Sequence, residues 1–237
     1  MVETNCMNQK IKIGAIGICI MILLAGVATY YMSTINIAAA KPIRVACVGD
    51  SITQGSGYPQ KLQALLGPNY TVVNFGVSGS TVSLNSSKPY MNQTAFKKAE
   101  EFDPEIVVIM LGTNDANPEI AHSEDNFEAD YAQLVASFEG LEGDQQIWVV
   151  KSPPIFSDNS NYNNTYLSHT VLPQIDDLAN QLNLPTVDVY SAFGTHSDYF
   201  MDGVHPNADG AALIASNICD AITSPDSSFN DSSASGP

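Results

Sequence analysis

The chain has 237 residues, 44% hydrophobic and 14% charged, enough apolar material for one well-cored domain plus appendages. Nine Lys and Arg stand against 25 Asp and Glu, a formal net charge of -16. A surface of that sign repels polyphosphates, which argues against nucleic acid as a partner and against docking on anionic lipid headgroups.

The N-terminal stretch differs in kind from the rest. After Lys10 and Lys12, residues 13–40 carry no charge and include the run IGAIGICIMILLAGVATYY, long enough to cross a bilayer. In a cleaved signal peptide a shorter apolar region is followed closely by small residues, whereas Ala38 to Ala40 come well after this one. An uncleaved signal anchor is therefore favoured over a cleaved signal, and both over a buried core helix. Residues 1–12 are then a short tail and 13–40 the membrane or signal segment with its linker. With Lys10 and Lys12 on the near side, the remainder is expected across the membrane, secreted or anchored outside the cytosol. Five N-x-S/T sequons, at Asn69, Asn85, Asn92, Asn163 and Asn230, fit a glycosylated secretory protein.

From residue 41 short β-branched runs alternate with longer amphipathic ones. Strands are expected at Ile43–Val48, Thr71–Asn74, Ile106–Leu111, Ile147–Lys151 and Thr186–Val189, and helices at Tyr58–Leu66, Thr94–Glu101, Asp125–Phe138, Leu167–Leu182 and Asn207–Ala221. Several strands lack polar alternation, as strands covered on both faces do. The pattern predicts an α/β domain over 41–223: a three-layer αβα sandwich with a doubly wound, five-stranded parallel sheet, flavodoxin-like. The Ser- and Asp-rich tail, 224–237, is expected to be disordered. Cys6 and Cys19 belong to the N-terminal segment, and Cys47 and Cys219 are expected as buried free thiols rather than a disulfide.

In such a sheet a ligand binds beyond the carboxyl ends of the strands. Polar, Gly-containing clusters follow those ends: Gly49-Asp50-Ser51 after the first, NFGVSGST (74–81) after the second, LGTND (111–115) after the third, and DGVHPN (202–207) past the fifth. Ser51 is a hydroxyl that is inert until a base takes its proton. His205 is the obvious base, and Asp202 stands close enough in sequence to fix its tautomer.

In order and placement these clusters resemble the four blocks of the SGNH (GDSL-like) hydrolases over roughly residues 43–221. The resemblance implies a Ser51, Asp202, His205 triad. It also implies an oxyanion hole from the Ser51 and Gly79 backbone N–H groups and the Asn114 side-chain amide, with Gly76 as the alternative glycine. Asp50 beside the nucleophile supports the loop rather than serving as the triad acid. His122, His169 and His196 match no block. No cofactor and no metal are implied. A rival reading takes Asp50, Asp115, Asp202 and His205 as ligands of a metal phosphoesterase, but the extra His pairs such sites carry are missing.

The spacing also resembles the branch of carbohydrate acetylesterases that includes the sialate O-acetylesterase-like and acetylxylan-esterase-like enzymes. The expected substrate is a small acyl ester, acetyl on a glycan, hydrolysed by a monomer. A lysophospholipase or thioesterase is the main alternative, and a non-catalytic glycan-binding module is a lesser one.

Overall fold

The structure is a computed structural model that describes residues 21–26, 41–117, 126–157 and 162–224. The chain divides into a unit ending at Lys41 and a unit starting at Pro42. In the first, residues 21–26 are helical. No helix among the described residues is long and apolar enough to cross a membrane. The rest of the expected membrane or signal segment, and the tail beyond residue 224, lie outside them.

The second unit is built on strands β1 (Ile43–Gly49), β2 (Tyr70–Gly76), β3 (Ile106–Met110), β4 (Gln146–Val150) and β5 (Thr186–Val187). They form one sheet in the order β2-β1-β3-β4-β5, and every pairing is parallel. Helices α1 (Ser51–Gly55), α2 (Tyr58–Leu66), α3 (Thr94–Glu101) and α4 (Phe127–Glu139) come first in sequence. Then follow α5 (Asn164–Tyr166), a π-helical turn (Leu167–Val171), α6 (Leu172–Gln181), α7 (Val189–Phe193) and α8 (Ala208–Thr223).

The apolar strands explain the three layers. Successive side chains of a strand point to opposite faces, so Ala46 and Val48 join one core with Val107, Ile109, Ile147 and Val149. There they meet Phe96 of α3, Leu134 and Phe138 of α4 and Ile175 of α6. Val45, Cys47, Val108, Met110, Trp148 and Val150 face the other way, against Leu62 of α2 and Ile214 and Ile218 of α8. Burying each such aliphatic side chain contributes about 1.5–3 kcal/mol, so a strand with two apolar faces is stable only with helices on both.

Most expected boundaries shift by one or two residues, the short helix α1 is not among the expected ones, and the expected helix Leu167–Leu182 opens as the π-helical turn; two of the shifts have a visible cause. Val189 was expected to end the fifth strand but opens α7, because the Asp188 carboxylate caps that helix by accepting from Ser191 N and Oγ, each at 2.9 Å. Asn207 is the cap of α8 rather than its first residue, its Oδ1 accepting from Asp209 N at 2.9 Å. Cys47 is buried and free as expected, whereas Cys219 is free but only half-buried.

The sheet order reverses at β1, whose neighbours β2 and β3 leave in opposite directions. The crevice created there, at the carboxyl ends of β1 and β3, is where an α/β sheet places its ligand.

Candidate active site

β1 stops at Gly49, and Asp50 then starts α1 by accepting the Ile52 N–H on Oδ1 at 2.9 Å. That cap makes Ser51 the first helical residue and turns it toward the crevice. Its Oγ lies 3.0 Å from His205 Nε2. His205 Nδ1 lies 2.7 Å from Asp202 Oδ2, while Asp202 Oδ1 accepts the backbone N–H groups of Val204 at 3.0 Å and His205 at 2.7 Å. Partial burial pushes the Asp202 carboxyl up, but the hydrogen bonds from His205 and Val204 outweigh it and bring it down to about 2. An ionised Asp202 fixes the proton on Nδ1 and leaves the Nε2 lone pair facing the hydroxyl.

The turn that carries this pair has a support the sequence did not reveal. Gly203 has φ +81°, and a Cβ on it would meet Ser157 N at 2.7 Å and Phe156 C at 2.9 Å. Phe156 N in turn donates to Gly203 O at 2.7 Å. The stretch after β4 is thus the bed on which the Asp202–His205 turn rests. Its one sequence signal is the apolar pair Ile155-Phe156 inside that loop.

The run after β2 sorts its backbone N–H groups clearly. Gly76 donates to Asn74 Oδ1 at 2.8 Å, Val77 to Gly49 O at 2.9 Å, Ser78 to Gln54 Oε1 at 2.8 Å and Ser80 to Val77 O at 3.1 Å. Gly79 N–H has no hydrogen-bond partner among the described residues, and its φ of +75° suits glycine. Gly76, the alternative oxyanion glycine, has its N–H committed. It is glycine because a Cβ there would collide with Gln54 N, whose hydrogen bond to Asp50 O closes the turn of α1.

Asn114, buried at the exit of β3, donates from Nδ2 to Ser80 O at 2.9 Å. Its second contact, to Asp50 Oδ2, is 3.4 Å long and correspondingly weak. Burial pushes the Asp50 carboxyl up to about 7 against the opposing hydrogen bond from Ile52. Next to Asn114, Asp115 is also buried and is pushed up to about 6. It accepts from Val82 N at 3.1 Å and Ser83 N at 3.0 Å, and Asp130 of α4 accepts from Leu84 N at 2.7 Å. These carboxylates pin the loop downstream of Gly79, a task that sequence reading did not assign them.

The carboxylates of the rival metal reading point to different backbone amides: Asp50 to Ile52, Asp115 to Val82 and Ser83, Asp202 to Val204 and His205. No group of three His, Cys, Asp or Glu among the described residues is placed to hold a metal ion. His169 is exposed and bonded to its own helix at Thr165 O, and His196 stacks on Tyr199 with centroids 4.8 Å apart. His122 lies outside the described residues. Among the sequons, Asn69, Asn85 and Asn92 are exposed. Asn163 is half-buried and caps α5 by accepting from Tyr166 N at 2.9 Å, and Asn230 lies outside the described residues.

Comparison with known proteins places this geometry in context. An acetylxylan esterase of Xylanibacter ruminicola is 34% identical over 206 residues, which is 76% of this chain and 43% of that protein. The chain thus spans less than half the length of the relative. Among solved structures, a carbohydrate acetylesterase from Sinorhizobium meliloti aligns with a TM-score of 0.63 at 20% identity, over 76% of this chain and 98% of that one. A catalytic mutant of an acetylxylan esterase from Geobacillus stearothermophilus gives 0.62 at 21%, over 77% and 95%. At such identities the structural likeness speaks for the fold. The model of the GDSL-like lipase/acylhydrolase family matches residues 47–213, a span that includes Ser51, Gly79, Asn114, Asp202 and His205, and the chain belongs to that family.

Proposed function

We propose that the domain is a serine esterase that hydrolyses small acyl esters, acetyl above all, on hydroxyl-rich carbohydrate. The observation that carries the reading is the relay from Asp202 through His205 to Ser51, with heavy-atom separations of 2.7 and 3.0 Å. A hydroxyl, an imidazole and an ionised carboxylate at those distances are equipped for acyl transfer. Acetylated carbohydrate is favoured by the names of the relatives, an acetylxylan esterase and a carbohydrate acetylesterase.

In this reading Ser51 Oγ attacks the ester carbonyl carbon as its proton passes to His205 Nε2. The carbonyl π pair moves onto oxygen, and that oxyanion is held by the N–H groups of Ser51 and Gly79 and by Asn114 Nδ2. Asn114 turns one amide hydrogen from its long contact with Asp50 to the oxyanion and keeps the bond to Ser80 O. Collapse breaks the ester C–O bond, and the leaving alkoxide takes the proton from His205. Water then adds to the acyl-serine, again losing a proton to His205, and the acid leaves as Ser51 recovers its hydrogen. Each donor of this kind lowers the barrier by about 2.7–4 kcal/mol.

The apolar N-terminal segment and the exposed sequons Asn69, Asn85 and Asn92 support a domain that works outside the cytosol, glycosylated at those sites.

The deciding experiment compares the wild type with Ser51→Ala on p-nitrophenyl acetate, the dodecanoyl analogue and acetylated xylo-oligosaccharide, with and without chelator. Acetyl hydrolysis that survives chelation and falls by about three orders of magnitude or more in Ser51→Ala is expected. Equal rates on acetyl and dodecanoyl esters would replace the small-acyl reading with the lipid-ester one. Loss of activity to the chelator would overturn the serine mechanism.

A further inference from the structure

Asn114 Nδ2 carries two hydrogens, and two oxygens stand within its reach. Ser80 O accepts one at 2.9 Å, and Asp50 Oδ2 lies 3.4 Å away. Asp50 Oδ1 accepts the Ile52 N–H at 2.9 Å as the cap of α1, which holds the carboxyl in place. Asp50 is 1% exposed and Asn114 5%, so bulk water does not compete for the amide hydrogen. The second hydrogen of Asn114 therefore has one protein acceptor, Asp50 Oδ2, and one rival in the esterase reading, the oxyanion. Charge decides between them. A carboxylate holds an N–H about twice as strongly as an uncharged acceptor does, and its charge opposes the growth of another negative charge nearby. The neutral acid does neither.

We propose that Asp50 is a positioning residue that works uncharged: neutral, it leaves the second Asn114 hydrogen to the oxyanion, and ionised, it holds that hydrogen and disables the donor. The proposal rests on the esterase reading, because the oxyanion is the rival acceptor, and adds to it a control of the same site by protons. Asp50 pairs with no Lys or Arg among the described residues. Burial dominates its carboxyl and pushes it up to about 7, opposed by the Ile52 hydrogen bond. Asp115, from the exit of β3, adds to the rise, and His205 opposes it. The phenols of Tyr58 on α2 and of Tyr162 also lie within its field. Rising pH therefore ionises Asp50 near neutrality and weakens the oxyanion hole.

The test is the pH profile of kcat on p-nitrophenyl acetate for the full-length chain, from about pH 5 to 9. Compared are the wild type, Asp50→Asn, Asn114→Ala and the double variant. The acid limb, where His205 is protonated and cannot act as base, is shared by all four. Wild-type kcat is expected to fall about tenfold per pH unit on the alkaline side, to a floor about 10²–10³ below the plateau. Asp50→Asn keeps an acceptor for Ile52 N–H and cannot ionise, so its alkaline limb is expected to vanish. Asn114→Ala is expected to lack the limb too, and the double variant to match it. A wild type without the limb, or a limb that survives in Asp50→Asn, overturns the proposal. So does a limb that survives in Asn114→Ala, which would make the Asp50 charge act on the oxyanion directly. If no ester is cleaved, the esterase reading fails separately. NMR of the Asn114 side-chain amide, identified by its absence in Asn114→Ala, then decides the contact and does so even where Asp50→Asn does not fold. A wild-type signal that shifts with a midpoint near the Asp50 value upholds the hold of Asp50 on Asn114, and a signal indifferent to pH rejects it.

Discussion

The carboxylate of Asp115 receives the backbone N–H of Ser83 at 3.0 Å, tying the loop that starts at Gly79 to the residue after Asn114. Two of the three candidate oxyanion donors are thereby locked to one another. Asp115→Ala leaves the buried Val82 and Ser83 amides without acceptors and is expected to cost roughly 1–3 kcal/mol for each group left unpaired. Urea unfolding checks the stability. A fall in kcat greater than the unfolded fraction explains is expected as well, and Asp115→Asn, which keeps an acceptor oxygen, is expected to be milder on both counts.

Gly76 and Gly79 are expected to respond oppositely to alanine. At Gly76 the added Cβ collides with Gln54 N, so Gly76→Ala disturbs α1 and is expected to lower the yield of folded protein. At Gly79 the nearest atom is Lys88 Cδ at 3.8 Å, leaving only the left-handed backbone to resist, at about 1–2 kcal/mol. Gly79→Ala is therefore expected to fold, shown by thermal melting, while kcat on p-nitrophenyl acetate drops.

Asn114→Ala removes a side-chain donor without touching the Ser51–His205 contact. A drop of about 10²–10³ in kcat with a small change in KM is expected for the loss of an oxyanion donor. A change confined to KM would assign Asn114 to ground-state binding instead.

Stability is expected to vary with pH in two opposing windows. Asp202, drawn down to about 2 from 3.8, contributes stability that is present above pH 3.8 and lost as the pH falls toward 2. Asp50 is raised to about 7 and Asp115 to about 6, both from 3.8. Between the unfolded and folded values of these two groups the native state holds more protons than the unfolded chain. Their ionisation therefore lowers stability as the pH rises from about 4 to 7. Urea midpoints across this range are expected to decline for the wild type more steeply than for Asp50→Asn, which cannot ionise there.

Gly203→Ala places a Cβ 2.7 Å from Ser157 N at a φ of +81°. The Asp202–His205 turn must lift from the Phe156–Ser157 backbone to accommodate it. Activity is expected to fall by a larger factor than the melting temperature shift accounts for, because the turn bears the base but little of either core.

The sequence by itself determined the sheet and the polar clusters at its ends. Apolar runs such as Ile106–Met110 have no polar face and can be stable only between two helical layers, and this local constraint is readable residue by residue. That Ser51, Asp202 and His205 meet was legible for a related reason: polar, Gly-containing clusters at successive strand ends converge once the strands are parallel. The boundaries that slipped, at Val189 and Asn207, depended on whether Asp188 and Asn207 turned their side chains back onto the following amides. Tertiary structure decided where the loop after β2 is tied, since the acceptor for Ser78 N–H comes from α1, whereas Gly76 N–H is taken locally by Asn74. It alone decided that Asp115 is a clamp rather than a ligand, that the segment after β4 underlies the Asp202–His205 turn, and that the stem of Lys88 lies beside Gly79. The hold of Asp115 on Val82 and Ser83, the bond from Ser78 to Gln54 and the contact of Gly203 with Phe156 and Ser157 join segments distant in the chain, and none of them leaves a periodicity in the sequence.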